Sequence, residues 1–133
     1  MKANELMIDD WVWYNNQPHQ IRQLGIFGEN RDGDDYPAVC VGKPNGVGLI
    51  LERNEIEPIP LTPEILEKNG FEYFHKNYSS LSYDHPFKLK MTNWPDGNGL
   101  GGLWTICDIV EIRFVHQLQH ALRLCEIEKE IVL

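Results

Sequence analysis

The stretch that most constrains the fold is a short helix whose two ends are both marked in the sequence. Thr62 is a favoured N-cap, because its hydroxyl accepts a hydrogen bond from a free backbone N–H of the first turn, and Pro63 suits the first helical position. At the far end, Gly70 readily adopts the positive φ that ends many helices, and Phe71 is spaced to pack back on Leu66. A helix this short is marginal alone, so it must dock on other elements. The sequence therefore predicts a short helix in a 58–71 segment that joins two larger regions.

Residues 1–57, before this helix, contain four short runs rich in aromatic and β-branched residues, a composition that favours strands. The runs are Trp11–Tyr14, His19–Leu24, Tyr36–Val41 and Val47–Leu51. An Asn-Asn-Gln-Pro turn and an Asn-Gly turn separate them in pairs, so we expect two hairpins, with Val12 and Ile21 facing inward. Gly25–Asp35 is predicted to be a loop and Glu55–Glu57 a closing strand. This pattern predicts an SH3-like small β-barrel.

The pattern of residues 72–133 predicts an antiparallel sheet followed by a helix. Apolar and polar residues alternate in Phe87–Thr92, as in a strand with one wet face. The glycine-rich stretch Asn93–Gly102 is predicted to be the loop of a long hairpin, with Leu103–Cys107 as the return strand. Apolar residues from Val115 to Cys125 fall on one helical arc. The chain is therefore predicted to be α+β, with barrel, joining helix, sheet and C-terminal helix in one compact unit.

The composition argues against several classes of function. The 133 residues carry 20 acidic and 12 basic side chains, and the formal charge of −8 disfavours attraction to nucleic-acid phosphates or anionic lipid. Cys40, Cys107 and Cys125 lack metal-binding or disulfide spacing, and the last two fall in apolar patterns that predict core thiols. Acidic residues near the start and the lack of a long apolar run predict a cytoplasmic protein that does not span a membrane. No cofactor is predicted.

Three groups of residues carry a resemblance to other proteins. They are Asn4–Leu6 with Ile8, Trp11 and Val12; Ile59–Thr62 with Leu66, Gly70 and Phe71; and Val115–Gln119. In this order they resemble an uncharacterised family of short proteins from bacterial genomes and their mobile elements. The resemblance implies one shared architecture and a cytoplasmic location. It implies no activity and no catalytic residues.

Aromatic residues are the first candidates for a binding surface. Trp11, Trp13, Tyr14, Trp94 and Trp104 exceed what one face of a small core encloses, and strand alternation puts Trp11 and Trp13 together, opposite Val12. Exposed aromatic side chains anchor many protein interfaces, so the first four of these residues are the predicted binding residues. The alternative is that they bury a seam inside the fold.

His116 and His120 are the second candidates, as metal ligands. They lie one helical turn apart, away from the apolar arc of the predicted helix. The sequence between them lacks the glutamate of zinc proteases, and a third ligand such as His75, His85 or Asp108 can be named but not placed. Two solvated or hydrogen-bonded histidines are the simpler interpretation.

These observations favour a non-enzymatic binding or adaptor module of phage or mobile-element origin. Its partner would be another protein or a second copy of the chain. The alternative hypothesis is a metal-dependent hydrolase that uses His116 and His120. The third is a nucleic-acid-binding accessory protein, which the charge of −8 opposes.

Overall fold

The computed structural model describes residues 6–29, 31–42, 46–76, 81–84, 90–95, 100–107 and 109–133. The chain divides into two compact units, Met1–Ile59 and Pro60–Leu133. Within the described residues each unit contains one antiparallel five-stranded sheet, and the second also contains two α-helices. The predicted α+β class is confirmed. Both sheets are open rather than closed into a barrel. Neither helix is long and apolar enough to cross a membrane, and this holds for the described residues.

The sheet of the first unit is a meander that returns to its first strand. Its elements are β1 (Trp11–Tyr14), β2 (Gln17–Glu29), β3 (Asp35–Gly42), β4 (Leu49–Glu52), a 3-10 helix (Arg53–Glu55) and β5 (Glu57–Pro58). The strand order is β4-β3-β2-β1-β5, so β1 pairs with both β2 and β5. The two predicted hairpins are present. The closing strand begins at Glu57, two residues later than predicted, because Arg53–Glu55 is helical.

The first hairpin turns through two residues, Asn15 and Asn16, which have φ of 49° and 58°. Two consecutive residues of positive φ define a type I′ turn, whose twist matches that of the flanking strands. Asparagine tolerates this conformation better than most side chains. The local sequence therefore explains how tightly β1 and β2 are joined.

The predicted loop Gly25–Asp35 is wrong over most of its length. β2 continues to Glu29 and β3 begins at Asp35, so the two strands form a long hairpin. Gly25, with φ of 69°, lies at a shift in register between Gln23 and Ile26, where a bulge accommodates it. Gly28 pairs with Tyr36, whose ring covers the missing side chain. Both glycines therefore fit within paired strands.

The core of the first unit is formed by aliphatic side chains from four strands and the segments beside them. These are Leu6, Val12, Ile21, Val39, Val41, Leu51 and Ile56, with Tyr14 and Leu24 packed against them. The predicted inward positions of Val12 and Ile21 are confirmed.

The second unit combines a sheet with two helices. Its elements are α1 (Pro63–Lys68), β6 (Glu72–Lys76), β7 (Leu81–Asp84), β8 (Lys90–Pro95), β9 (Leu100–Ile106), β10 (Val110–Ile112) and α2 (Val115–Leu124). The sheet order is β10-β9-β8-β7-β6. The C-terminal helix is confirmed to within one residue. Trp94 and Pro95 were predicted in a loop but extend β8, where Trp94 pairs with Leu103.

Helix α1 has both predicted ends. The Thr62 hydroxyl accepts a hydrogen bond from the Ile65 N–H at 3.3 Å. At the other end, the N–H of Phe71 donates to the Leu66 carbonyl at 3.0 Å, and that of Gly70 donates to the Glu67 carbonyl. This pair of bonds is a Schellman ending, and Gly70 has the required positive φ of 88°.

We expect Gly70→Val to lower the free energy of unfolding by about 1 kcal/mol or more, measured by urea denaturation. A Cβ on Gly70 would meet nothing within 4 Å, so the cost is conformational rather than steric. Gly102→Val is the matched control. A Cβ there also meets nothing within 4 Å, but Gly102 is not a positive-φ residue, so valine should be tolerated in its strand. Equal losses in the two variants would contradict the assigned helix ending.

Candidate functional site

Strand alternation brings three polar or aromatic side chains to the core side of the first sheet. Val12 pairs with His19, and Tyr14 pairs with Gln17. Paired residues share a face, as do residues two apart in one strand. Since Val12 is in the core, Tyr14, Gln17 and His19 all lie on the core side.

Strand β4 places Leu49 on the same side. Leu49 pairs with Val41, a core residue, and Val41 pairs with Ile21 in β2. Leu51 on β4 shares this face and is buried, whereas Leu49, at the start of the strand, is exposed. The core layer is therefore open at the end of the sheet that holds Leu49.

A cavity of about 330 Å³ occupies this open end. We call it the β1–β4 cavity. It is lined by Tyr14, Asn15, Gln17, His19, Gly46, Val47 and Leu49. Strands β1 and β4 are separated by two other strands in the sheet order, yet both ends line one cavity. The sheet of the first unit must therefore curl around its core face.

His19 is the buried polar residue of the cavity wall. Its Nδ1 lies 3.0 Å from the Gln17 carbonyl oxygen. A carbonyl oxygen only accepts hydrogen bonds, so Nδ1 must carry the proton, and in the neutral ring Nε2 is then an acceptor. The His19 ring meets the Tyr14 ring edge to face, with centroids 5.7 Å apart and planes at 70°. The two rings are therefore in contact, and both line the cavity.

The aliphatic residues of the lining face solvent. Val47 is 90% exposed and Leu49 is also exposed. Ile50, the next residue of β4, is exposed on the other face of the strand. Exposed aliphatic side chains beside a pocket are typical of interaction sites, whereas scattered ones are ordinary. The lining of the β1–β4 cavity thus combines hydrogen-bonding and aliphatic groups.

The four predicted aromatic binding residues do not share one surface. Trp11 is only 7% exposed, which corrects its assignment to an exposed surface. Trp13 is half-buried and, by alternation, lies on the face opposite Tyr14. Trp94, in the second unit, is 40% exposed, and its indole N–H donates to the Thr105 hydroxyl at 3.0 Å. Of the four, Tyr14 lines the β1–β4 cavity.

The predicted metal-binding pair lies on α2. His116 is only 2% exposed although it lies off the predicted apolar arc, so of the two simpler interpretations solvation does not apply to it. Its ring stacks on Phe114 with centroids 5.9 Å apart, and it meets the His120 ring edge to face at 5.6 Å. Helix α2 also buries Gln119, so its buried arc is wider than its apolar arc.

No group of three metal-binding side chains occurs within the described residues. Of the suggested third ligands, His85 and Asp108 lie outside the described residues, as does the side chain of His75. Cys107 and Cys125 are exposed, which contradicts their prediction as core thiols. Both lie where an element ends: Cys107 follows β9 with φ of 51°, and Cys125 caps α2. Apolar neighbours in sequence do not ensure burial at such positions.

Sequence patterns missed most of the cavity wall. Because Gln17 and His19 are two residues apart, strand alternation could have predicted that they share a face. The approach of Val47 and Leu49 to that face could not be predicted, because it depends on the curl of the sheet.

We expect His116→Ala to lower the free energy of unfolding by about 1–3 kcal/mol, because it empties a buried site beside Phe114. His120→Ala, at a half-buried position one turn away, should cost less than about 1 kcal/mol. Urea denaturation of the two variants tests this order. A larger loss for His120→Ala would contradict a packing role for His116.

Comparison with protein-family models, with curated proteins and with solved structures finds no match for this chain.

Proposed function

We propose that this protein is a non-enzymatic binding module whose β1–β4 cavity takes an apolar side chain from a protein partner. The observation that carries the proposal is the cavity at the open end of the core, whose lining joins the Tyr14 and His19 rings with Val47 and Leu49. An apolar side chain inserted there would continue the packing of the core. Burial of such an anchor supplies much of the binding energy in protein interfaces.

The order of elements in the first unit supports an SH3-like scaffold whose sheet is curled but not closed. The meander β1 to β4, a 3-10 helix before β5, and the return of β5 to β1 together make a curled five-stranded sheet. Small barrels of this kind often bind partners through surface between their loops. The β1–β4 cavity lies at such a place, beside the Asn15-Asn16 turn and the segment that begins β4.

The polar groups of the cavity suit recognition. The Nδ1 proton of His19 is held by a backbone carbonyl, and Tyr14 limits movement of the ring. Asn15 and Gln17 add amide groups at the mouth. A few placed polar groups among apolar ones fix the orientation of a bound side chain.

Charge suggests the character of the partner. Strand β4 ends at Glu52 and is followed by Glu55 and Glu57, and the whole chain has a formal charge of −8. A partner segment with basic residues beside its apolar anchor would complement these acids. Direct strand addition along β4 is less favoured, because the Glu55 carboxylate accepts the backbone N–H of Glu52 at 2.8 Å. That N–H is not offered to another strand.

Mobile-element origin and a cytoplasmic location belong to the same proposal. The first rests on the resemblance of the three residue groups to short proteins of bacterial mobile elements. The second is supported by the three free cysteines, as expected in a reducing compartment.

Selection from a displayed random-peptide library, with the full protein as bait, tests the proposal. Enriched peptides should contain an apolar residue near basic ones, and their affinity should fall about tenfold or more in Leu49→Asp and Tyr14→Ala. Ile109→Asp is the matched control, since Ile109 is an exposed aliphatic residue of the second unit. Equal affinity for wild type and Leu49→Asp would overturn the assignment of the site.

The metal-dependent alternative has a separate test. Metal analysis of protein purified without a nickel column should find no stoichiometric zinc if the binding-module proposal holds. Zinc at one equivalent, lost in both His116→Ala and His120→Ala, would favour the hydrolase hypothesis instead.

A further inference from the structure

The segment after α2, Glu126–Leu133, is held to the second unit by the side chain of a buried asparagine. The Oδ1 atom of Asn69 accepts the Val132 N–H at 2.7 Å, and its Nδ2 donates to the Val132 carbonyl at 2.8 Å. Nδ2 also donates to the Ile65 carbonyl at 2.8 Å, which fixes the amide at the end of α1. We call Glu126–Leu133 the strap and the position that holds it the Asn69 slot.

The Asn69 slot binds the backbone of Val132, and the side chain buried beside it in the strap is that of Ile131, one position earlier. An amide that pairs with both the N–H and the C=O of one residue acts as a neighbouring strand would, so it places no demand on that side chain. The Val132 side chain is 50% exposed, whereas Ile131 is 3% exposed. The slot therefore selects a peptide with a buried aliphatic residue followed by a residue of any kind.

The part of the strap between α2 and Ile131 is irregular. Glu126, with φ of 57°, is the C′ residue of a Schellman ending of α2, because its N–H donates to the Arg123 carbonyl at 3.1 Å and the Ile127 N–H donates to the Leu122 carbonyl at 2.9 Å. Glu126, Glu128 and Glu130 are exposed, and the segment from Glu126 to Glu130 borders a cavity of about 840 Å³. Because these two hydrogen bonds hold Glu126 and Ile127 to α2, the strap can turn outward only beyond them, and we take Glu128–Glu130, where both glutamates are exposed, as its hinge.

We propose that the Asn69 slot is a peptide-binding site that accepts the strap of a second copy of this chain in place of its own. The two hydrogen bonds to Val132 and the burial of Ile131 are the same in either case. Whether the slot holds its own strap or that of a second copy then depends on the hinge and on protein concentration. The exchange gives self-association without any new contact, and it does not involve the β1–β4 cavity.

Two full-length variants test the exchange by complementation. Asn69→Leu keeps an intact strap but lacks the amide of the slot, and Ile131→Asp keeps the slot but cannot bury its strap. Each alone should sediment as a monomer in analytical ultracentrifugation. Their equimolar mixture should form a 1:1 dimer, because one chain supplies the strap and the other the slot. A mixture that stays monomeric, with both variants folded by circular dichroism, would overturn the proposal, as would dimers of either variant alone.

A second measurement does not depend on the folding of Asn69→Leu. A fluorescent synthetic peptide with the sequence of Ile127–Leu133 should bind the Ile131→Asp protein in an anisotropy titration. It should bind wild-type protein at least tenfold more weakly, because the wild-type strap fills the slot. The same peptide carrying Asp in place of Ile131 is the control and should not bind. Equal affinity for the two peptides, or for the two proteins, would overturn the proposal.

Discussion

The second unit depends on how the backbone of Leu61 is satisfied just before α1. Its N–H donates to the Arg113 carbonyl at 3.0 Å, and its carbonyl accepts the indole N–H of Trp104 at 3.1 Å. Trp104 is buried, and an unsatisfied buried donor costs about 1–3 kcal/mol. This one residue therefore ties the start of α1 both to β9 and to the approach to α2. At the other end of the helix, Asn69 binds the strap. A helix of six residues, marginal alone, is held at both ends by tertiary hydrogen bonds.

The first unit meets a different constraint. Its sheet curls enough for β1 and β4 to line one cavity, yet it remains open. The type I′ turn at Asn15-Asn16 matches the twist of β1 and β2, and the bulge near Gly25 increases the twist of β2. Val39, Val41 and Leu51 are buried in the core of this curled sheet. At the open end of the core, Tyr14, His19 and Leu49 line the cavity. The proposed binding site is thus a consequence of how the core is covered.

Much of the local structure could be predicted from the sequence. The caps of α1, the extent of α2, the two hairpins of the first unit and the inward positions of Val12 and Ile21 all follow from periodicity and turn chemistry. The candidate site could be predicted only in part, through Tyr14. Gln17 and His19 share its face by alternation, but the part played by Leu49 requires the curvature of the sheet. The predicted loop Gly25–Asp35 was wrong because strand pairing decides the structure there: Gly28 lies in β2, paired with Tyr36, whose ring covers it.

The sequence by itself determined where chain segments begin, turn and end, because capping, positive φ and strand alternation act over a few residues. Thr62, Gly70 and the Asn15-Asn16 turn show this. Only the tertiary structure decided which side chains are buried at the margins of those elements. His116 is inside, Cys107 and Cys125 are outside, and Asn69 binds a residue 63 positions away. The physical reason is that burial and long-range hydrogen bonding depend on what packs across from a residue, and a pattern of neighbours along the chain does not contain that information.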